Sequence, residues 1–88
     1  MTEDDLRQMI VEEIGNIAPE ADASLVADEA DLREALDLDS MDIFNLVIAL
    51  SQRLAIDIPD ADAPRLITLG GGVSYLRERL AGSSLPPA

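Results

Sequence analysis

Leu36-Asp37-Leu38-Asp39-Ser40-Met41-Asp42 leads directly into Ile43-Phe44-Asn45-Leu46-Val47-Ile48-Ala49-Leu50. A polar connection gives way there to a strongly apolar helix. The helix is expected from about Ser40 to Leu54. At about 100° per residue its apolar side chains fall into two arcs. Ile43, Leu46, Val47, Leu50 and Leu54 form one; Met41, Phe44 and Ile48 form the other, on the flank nearest Ser40. A surface helix needs one apolar stripe for its core. A second stripe means deeper burial or a partner site, and the residues alone leave both open. Ser40 places a hydroxyl at the helix start between two acids, where a phosphate ester can be attached and read by partners. A serine in that position also serves as an ordinary N-cap.

Working outward, Thr2 and the acids Glu3, Asp4 and Asp5 have the form of a capped helix start. Leu6, Met9, Ile10, Ile14 and Ile17 follow at three- and four-residue steps, and Pro19 ends that helix. Gly15 weakens its last turn. Residues 18 to 39 form a long connection, a length often linked to function. Leu32 and Leu36, and earlier Leu25 and Val26, are spaced to anchor it on the core. Ile58-Pro59-Asp60 marks a turn, and Asp60 to Leu66 gives a short third helix limited by Pro64. Thr68 caps a last helix carrying Leu69, Val73, Leu76 and Leu80. Gly70, Gly71 and Gly72 lie in its first turns, at roughly 1 kcal/mol each relative to alanine. That start is expected to fray unless packing overrides it. The pattern predicts an all-α fold: a small four-helix bundle, three main helices plus one short, with a long loop between the first two. One domain is expected over 1–81, with 82–88, which holds Pro86 and Pro87, expected to be a disordered tail.

Composition narrows the function. The chain has 88 residues, enough for one modest core, and 48% are hydrophobic, which rules out a disordered acidic segment. Phe44 and Tyr75 are the only aromatics, so the core is aliphatic. Net charge is −12, and the six bases are all arginine. This balance repels nucleic acid and anionic membranes and favours partners with basic docking patches, besides keeping a small protein soluble. There is no cysteine and no histidine. Disulfides and intrinsic thiol chemistry are excluded, and a hydrolase built on Ser40 lacks its usual base. No nucleophile–base pair or phosphate loop is visible, so the chain is not expected to be an enzyme. Asp37, Asp39 and Asp42, like Asp57, Asp60 and Asp62, do not follow the EF-hand pattern, and no dedicated metal site is expected. The acidic N-terminus is unlike a signal peptide and no apolar run approaches a membrane span, so a cytoplasmic location is expected.

The ordered set of motifs resembles the acyl carrier protein family. Leu32, Leu36 and Asp39-Ser40-Met41 occupy the places of the family's loop apolar residue, leucine and Asp-Ser-Leu. Leu46-Val47-Ile48-Ala49-Leu50, Ile58-Pro59-Asp60, Thr68-Leu69 and Val73-Ser74-Tyr75-Leu76 continue the pattern. The resemblance implies that Ser40, with Asp39 in its flanking motif, is esterified with 4′-phosphopantetheine by a separate phosphopantetheinyl transferase. The arm's thiol would carry acyl groups as thioesters for fatty-acid, polyketide or related specialised biosynthesis. It also implies a monomer whose acyl-loading and acyl-processing partners dock on Met41, Asp42, Phe44 and Ile48. A helix N-terminus favours a phosphodiester by 0.3–1 kcal/mol, roughly, while Asp39 and Asp42 oppose it. Those acids are therefore expected to serve the partners.

Four features depart from the family pattern. Asp37 stands where glycine is usual, and aspartate tolerates unusual backbone angles better than most residues. Asn45, Ser51, Gln52 and Arg53 replace acids on the exposed face of the second helix, while Pro64 and the three glycines weaken the third and fourth. A specialised carrier outside housekeeping fatty-acid synthesis is the expectation. Two alternatives stay open: an aminoacyl or peptidyl carrier, and a non-covalent acidic helical interaction module, for which Ser40 would be dispensable.

Overall fold

The computed structural model describes residues 2–84. Helix α1 spans Glu3–Ile17, a 3-10 turn covers Ala23–Leu25, and α2 is the short Leu32–Ala35. Helix α3 spans Ser40–Leu54, a 3-10 helix covers Asp60–Leu66, and α4 runs Leu69–Ser84. The described residues are all helical or irregular, as the periodicities require. α1 packs against both α3 and α4, and the 3-10 helix bridges α3 and α4.

Local chemistry sets the boundaries. Thr2 Oγ1 accepts from the Asp5 amide at 3.1 Å while Asp5 Oδ2 accepts from the Thr2 amide at 3.0 Å, closing a capping box on α1. The helix stops at Ala18, whose place before Pro19 disfavours helical angles. Leu6, Ile10, Ile14, Leu32, Leu46, Leu50, Leu66, Leu69 and Leu76 are fully enclosed. Burying each such side chain contributes about 1.5–3 kcal/mol. Ile43 and Val47 are also buried, and Leu54 packs against the core from its edge. No buried side-chain polar atom is unsatisfied among the described residues.

The long connection is fastened at three heights. The Leu32 amide donates to the Ile67 carbonyl at 2.8 Å, the Gly70 amide donates to the Asp28 carbonyl at 3.0 Å, and the Asp28 carboxylate pairs with Arg7. Leu32 is a full core residue, and Leu36 and Val26 pack against the core. Leu25 corrects the expectation. It is 83% exposed, because the Asp22-capped turn directs Ala23 inward instead.

The glycines of α4 behave differently from expectation as well. A Cβ on Gly70 would lie 3.2 Å from the Asp28 carbonyl oxygen, and one on Gly72 3.1 Å from Ile10 and Leu66 methyls. Close packing therefore overrides the propensity cost, and the helix begins at Leu69. At its other end α4 continues to Ser84, three residues into the segment expected to be a tail. No proline interrupts the backbone before Pro86, so nothing covalent stops the helix at Gly82. The rest of that segment lies outside the described residues. Among the described residues, no helix is long and apolar enough to cross a membrane.

Candidate functional site

The site grows from the start of α3. Its N-cap is Asp39, not Ser40. Asp39 Oδ1 accepts from the Asp42 amide at 2.9 Å, and Asp42 Oδ2 accepts from the Asp39 amide at 3.2 Å. The two acids form a reciprocal capping box, here with aspartate at both positions. Their first role is thus structural, in place of the purely partner-facing one expected from sequence. Ser40 becomes the first helical residue. It is exposed, and its hydroxyl has no part in the cap.

The turn before it explains the aspartate in glycine's place. Asp37 has φ 55°, the left-handed region. Aspartate enters that region more readily than most residues, so the turn survives without glycine. It is held by the Leu38 amide donating to the Arg33 carbonyl at 3.1 Å and by Leu38 burying its side chain. The backbone thus delivers Ser40 to the surface from a fixed base.

Ser40 opens onto a cleft of about 300 Å³ between α3 and the 3-10 helix. Ile43, Phe44, Ala63, Pro64 and Ile67 supply its apolar lining; Arg33 and Asp60 supply its charges. The far wall is braced by Tyr75, whose hydroxyl donates to Asp62 at 2.6 Å and accepts from Arg79 at 2.8 Å. Burial, then the bond to Asp62, pushes the Tyr75 hydroxyl above its usual pKa. Arg65 and Arg79 also lie over the Tyr75 ring, 5.4 and 5.8 Å from its centre.

The flank beside Ser40 carries the second apolar stripe. Met41 is 64% exposed, Phe44 40% and Ile48 41%. At positions i, i+3 and i+7 they form one row on the surface. The two-stripe question is therefore decided: one stripe is core, the other faces outward. The replaced acids also find their places. Arg53 turns back to α1, donating to Glu12 at 2.7 Å and Glu13 at 2.8 Å, and Ser51 donates to the Ile48 carbonyl. Asn45 and Gln52 remain exposed and neutral.

On the other side of the turn, Glu20, Asp22, Glu34, Asp37 and Asp42 line a wider cleft of about 440 Å³. Among the described residues, no three acidic side chains converge as a metal cage.

The arrangement suits a phosphate-linked arm on Ser40. The hydroxyl is accessible, esterifying it breaks no cap, and an apolar cleft with one arginine lies alongside. The sequence does not place Arg33, Ala63 or Ile67 beside Ser40, and it marks Asp60 and Pro64 only as turn and helix-limiting residues. Their common signal is only that they flank Ser40 in the folded chain, from two segments about 30 residues apart.

A sequence profile of the family described as "phosphopantetheine attachment site" matches residues 4–76. The chain is similar to a protein named acyl carrier protein from Wolinella succinogenes, 37% identical over 73 residues, which cover 83% of this chain and 90% of that one. It is 36% identical over 75 residues to the acyl carrier protein of Campylobacter curvus, covering 85% and 91%. With the acyl carrier protein of Chlamydia caviae it shares 34% over 77 residues, covering 88% and 94%.

Proposed function

The chain belongs to the acyl carrier protein family, and from that premise we propose that Ser40 is the residue that bears its prosthetic group. Members of the family are carriers with covalently attached 4′-phosphopantetheine. The arm supplies a terminal thiol that holds an acyl group as a thioester, chemistry this cysteine-free chain cannot offer by itself. The single observation that carries the assignment is the division of labour at the start of α3. Asp39 and Asp42 cap the helix, which leaves the exposed Ser40 hydroxyl outside the hydrogen-bonded frame. The test is intact mass before and after incubation with coenzyme A, magnesium and a broad-specificity phosphopantetheinyl transferase. One phosphopantetheine is expected on the wild type and none on Ser40→Ala. A non-covalent interaction module would instead keep its function in that variant.

Acyl carrier proteins interact with modifying and acyl-processing enzymes. In this chain the docking row is proposed to be Met41, Phe44 and Ile48, with Asp42 as its charged neighbour. Their exposure in one row beside Ser40 supports the reading. Phe44→Ala should lower partner turnover by about tenfold if the ring is a central anchor, worth over about 1 kcal/mol. Unchanged turnover by every partner tried would remove Phe44 from the row.

The pathway is proposed to lie outside housekeeping fatty-acid synthesis. The exposed face of α3 offers Asn45 and Gln52 where a basic partner patch needs acids, and Arg53 is engaged with α1. A housekeeping ketosynthase should therefore turn this carrier over more slowly than its own, and equal rates would sink the idea. A monomer acting in the cytoplasm is the state proposed, and sedimentation of the holo protein tests the first half.

A further inference from the structure

The cleft beside Ser40 contains one cation, and no role has been assigned to it. We propose that Arg33 anchors the phosphodiester of the prosthetic group, holding the base of the arm against the cleft and away from open solvent. The inference rests on Ser40 being the attachment residue.

The argument begins with charge. The protein carries −12, and Asp39 and Asp42 flank the serine. Adding a phosphodiester there increases the local repulsion. Among the residues that line the cleft, Arg33 alone can offset it. Its position is set by the fold. Arg33 lies in α2, which is fastened by the Leu32–Ile67 backbone bond and by the full burial of Leu32. The Arg33 carbonyl also accepts from Leu38, so its backbone is tied to the turn that presents Ser40.

The guanidinium is oriented as well as placed. Arg33 Nε donates to Asp31 Oδ1 at 3.2 Å and Nη2 donates to Asp31 Oδ2 at 3.0 Å. That uses one edge of the planar fork. A guanidinium has five N–H donors, and no other hydrogen bond from it occurs among the described residues. The remaining edge can meet phosphate oxygens in the bidentate manner arginine favours. Asp31 does not consume the residue's availability: the Arg33 side chain remains 47% exposed against 26% for its partner. Asp31 also caps α2 through the Arg33 amide at 2.8 Å, so its own position does not depend on the guanidinium.

The experiment uses the full chain in apo and holo forms. Arginine side-chain 15N–1H resonances are recorded in both, with Arg7, Arg53, Arg65, Arg77 and Arg79 as internal controls. Nuclear Overhauser contacts between the arm and the methyl groups of Ala63 and Ile67 are then compared in wild type, Arg33→Ala and Arg33→Lys. Arg33 is expected to shift on conversion to holo while the other five stay still. Arg33→Ala should weaken the arm–cleft contacts about two- to fivefold, the size an exposed ion pair supports. Arg33→Lys should recover part of the loss, because it restores charge without the fork. Raising the salt concentration should imitate Arg33→Ala in the wild type and do little in the variant. A silent Arg33 resonance, or equal arm contacts in wild type and Arg33→Ala, would overturn the proposal. Mass measured on the same samples separates the two levels. A chain that gains no phosphopantetheine overturns the Ser40 assignment and this inference together, whereas a modified chain with a silent Arg33 overturns the inference alone.

Discussion

Helices α3 and α4 start in opposite ways. The start of α3 is exposed and crowded with polar side chains: Asp39, Ser40 and Asp42 within four positions. The start of α4 is enclosed and nearly without side chains: Gly70, Gly71 and Gly72, with Thr68 Oγ1 accepting from the Gly71 amide at 3.0 Å. Both solve the same problem of orphan N–H groups with a side-chain cap. In α3 the cap is carried by Asp39 and Asp42 on either side of Ser40, so the serine hydroxyl stays outside it. In α4 the cap and the glycines serve close approach, since the backbone of Asp28 and Arg65 and the methyls of Ile10 and Leu66 occupy the space side chains would need. One start is built to be reached, the other to be filled.

The sharpest break of that contrast is Ser40→Ala. Loss of phosphopantetheine attachment should be complete, while stability should stay within about 0.5 kcal/mol, as for a surface change that touches no cap. A large fall in melting temperature would mean that Ser40 belongs to the frame after all. Next comes an alanine placed in two different helical glycines. At Gly71 the new Cβ would lie 2.7 Å from Thr68 Oγ1 and 2.8 Å from the Arg65 carbonyl oxygen. Gly71→Ala should cost about 1–2 kcal/mol in denaturant unfolding, although alanine is the better helix former by about 1 kcal/mol. At Gly15 nothing lies within 4 Å. There the same substitution should stabilise by about 0.5–1 kcal/mol. Equal signs at the two sites would refute the packing account of the α4 start.

A smaller effect separates the two duties of the acids. Asp39→Ala should lose about 1 kcal/mol with the cap, while Asp39→Asn should hold stability within a few tenths of a kcal/mol, because asparagine caps as well. If the transferase reads the carboxylate, the modification rate falls in Asp39→Asn despite the retained fold. If it does not, the rate tracks stability alone. The smallest change lies at the far end of α3. Ala55 sits at φ 54°, where an L residue is strained. Ala55→Gly should gain about 0.5 kcal/mol, the relief of left-handed strain less the added chain entropy.

The legible parts of the sequence were those with local causes. Leu6 through Ile17 announced α1 by period, Pro19 ended it, and the Leu46–Leu50 rhythm announced α3. Ser40 stood out through its motif, and the exposed row of Met41, Phe44 and Ile48 through the second arc of the helix. What escaped depended on distance. Ala23 turning in while Leu25 turned out followed from one Asp22-capped turn, which apolar spacing does not encode. The triple glycine looked like weakness because propensity sees one helix, whereas its cause lies in Asp28, Ile10, Arg65 and Leu66. Arg33 was invisible as a neighbour of Ser40, since its role comes from the chain folding α2 against the end of the 3-10 helix. Asp39 and Asp42 had two readings, and only the hydrogen bonds gave the capping box priority.

The bond from the Gly70 amide to the Asp28 carbonyl has a kinetic consequence. Its donor sits at the start of α4, but its acceptor belongs to the long connection. The Gly70 proton can therefore trade with solvent deuterium only when the connection and the start of α4 separate, a bond within the helix giving it no cover. The Leu32 amide, bonded to Ile67, reports the same event from the other side. The two protons form a matched pair of clocks. If they exchange at one common rate, the connection opens as a unit; if Gly70 runs faster, the contact over the glycines parts first while α2 stays down beside Ser40.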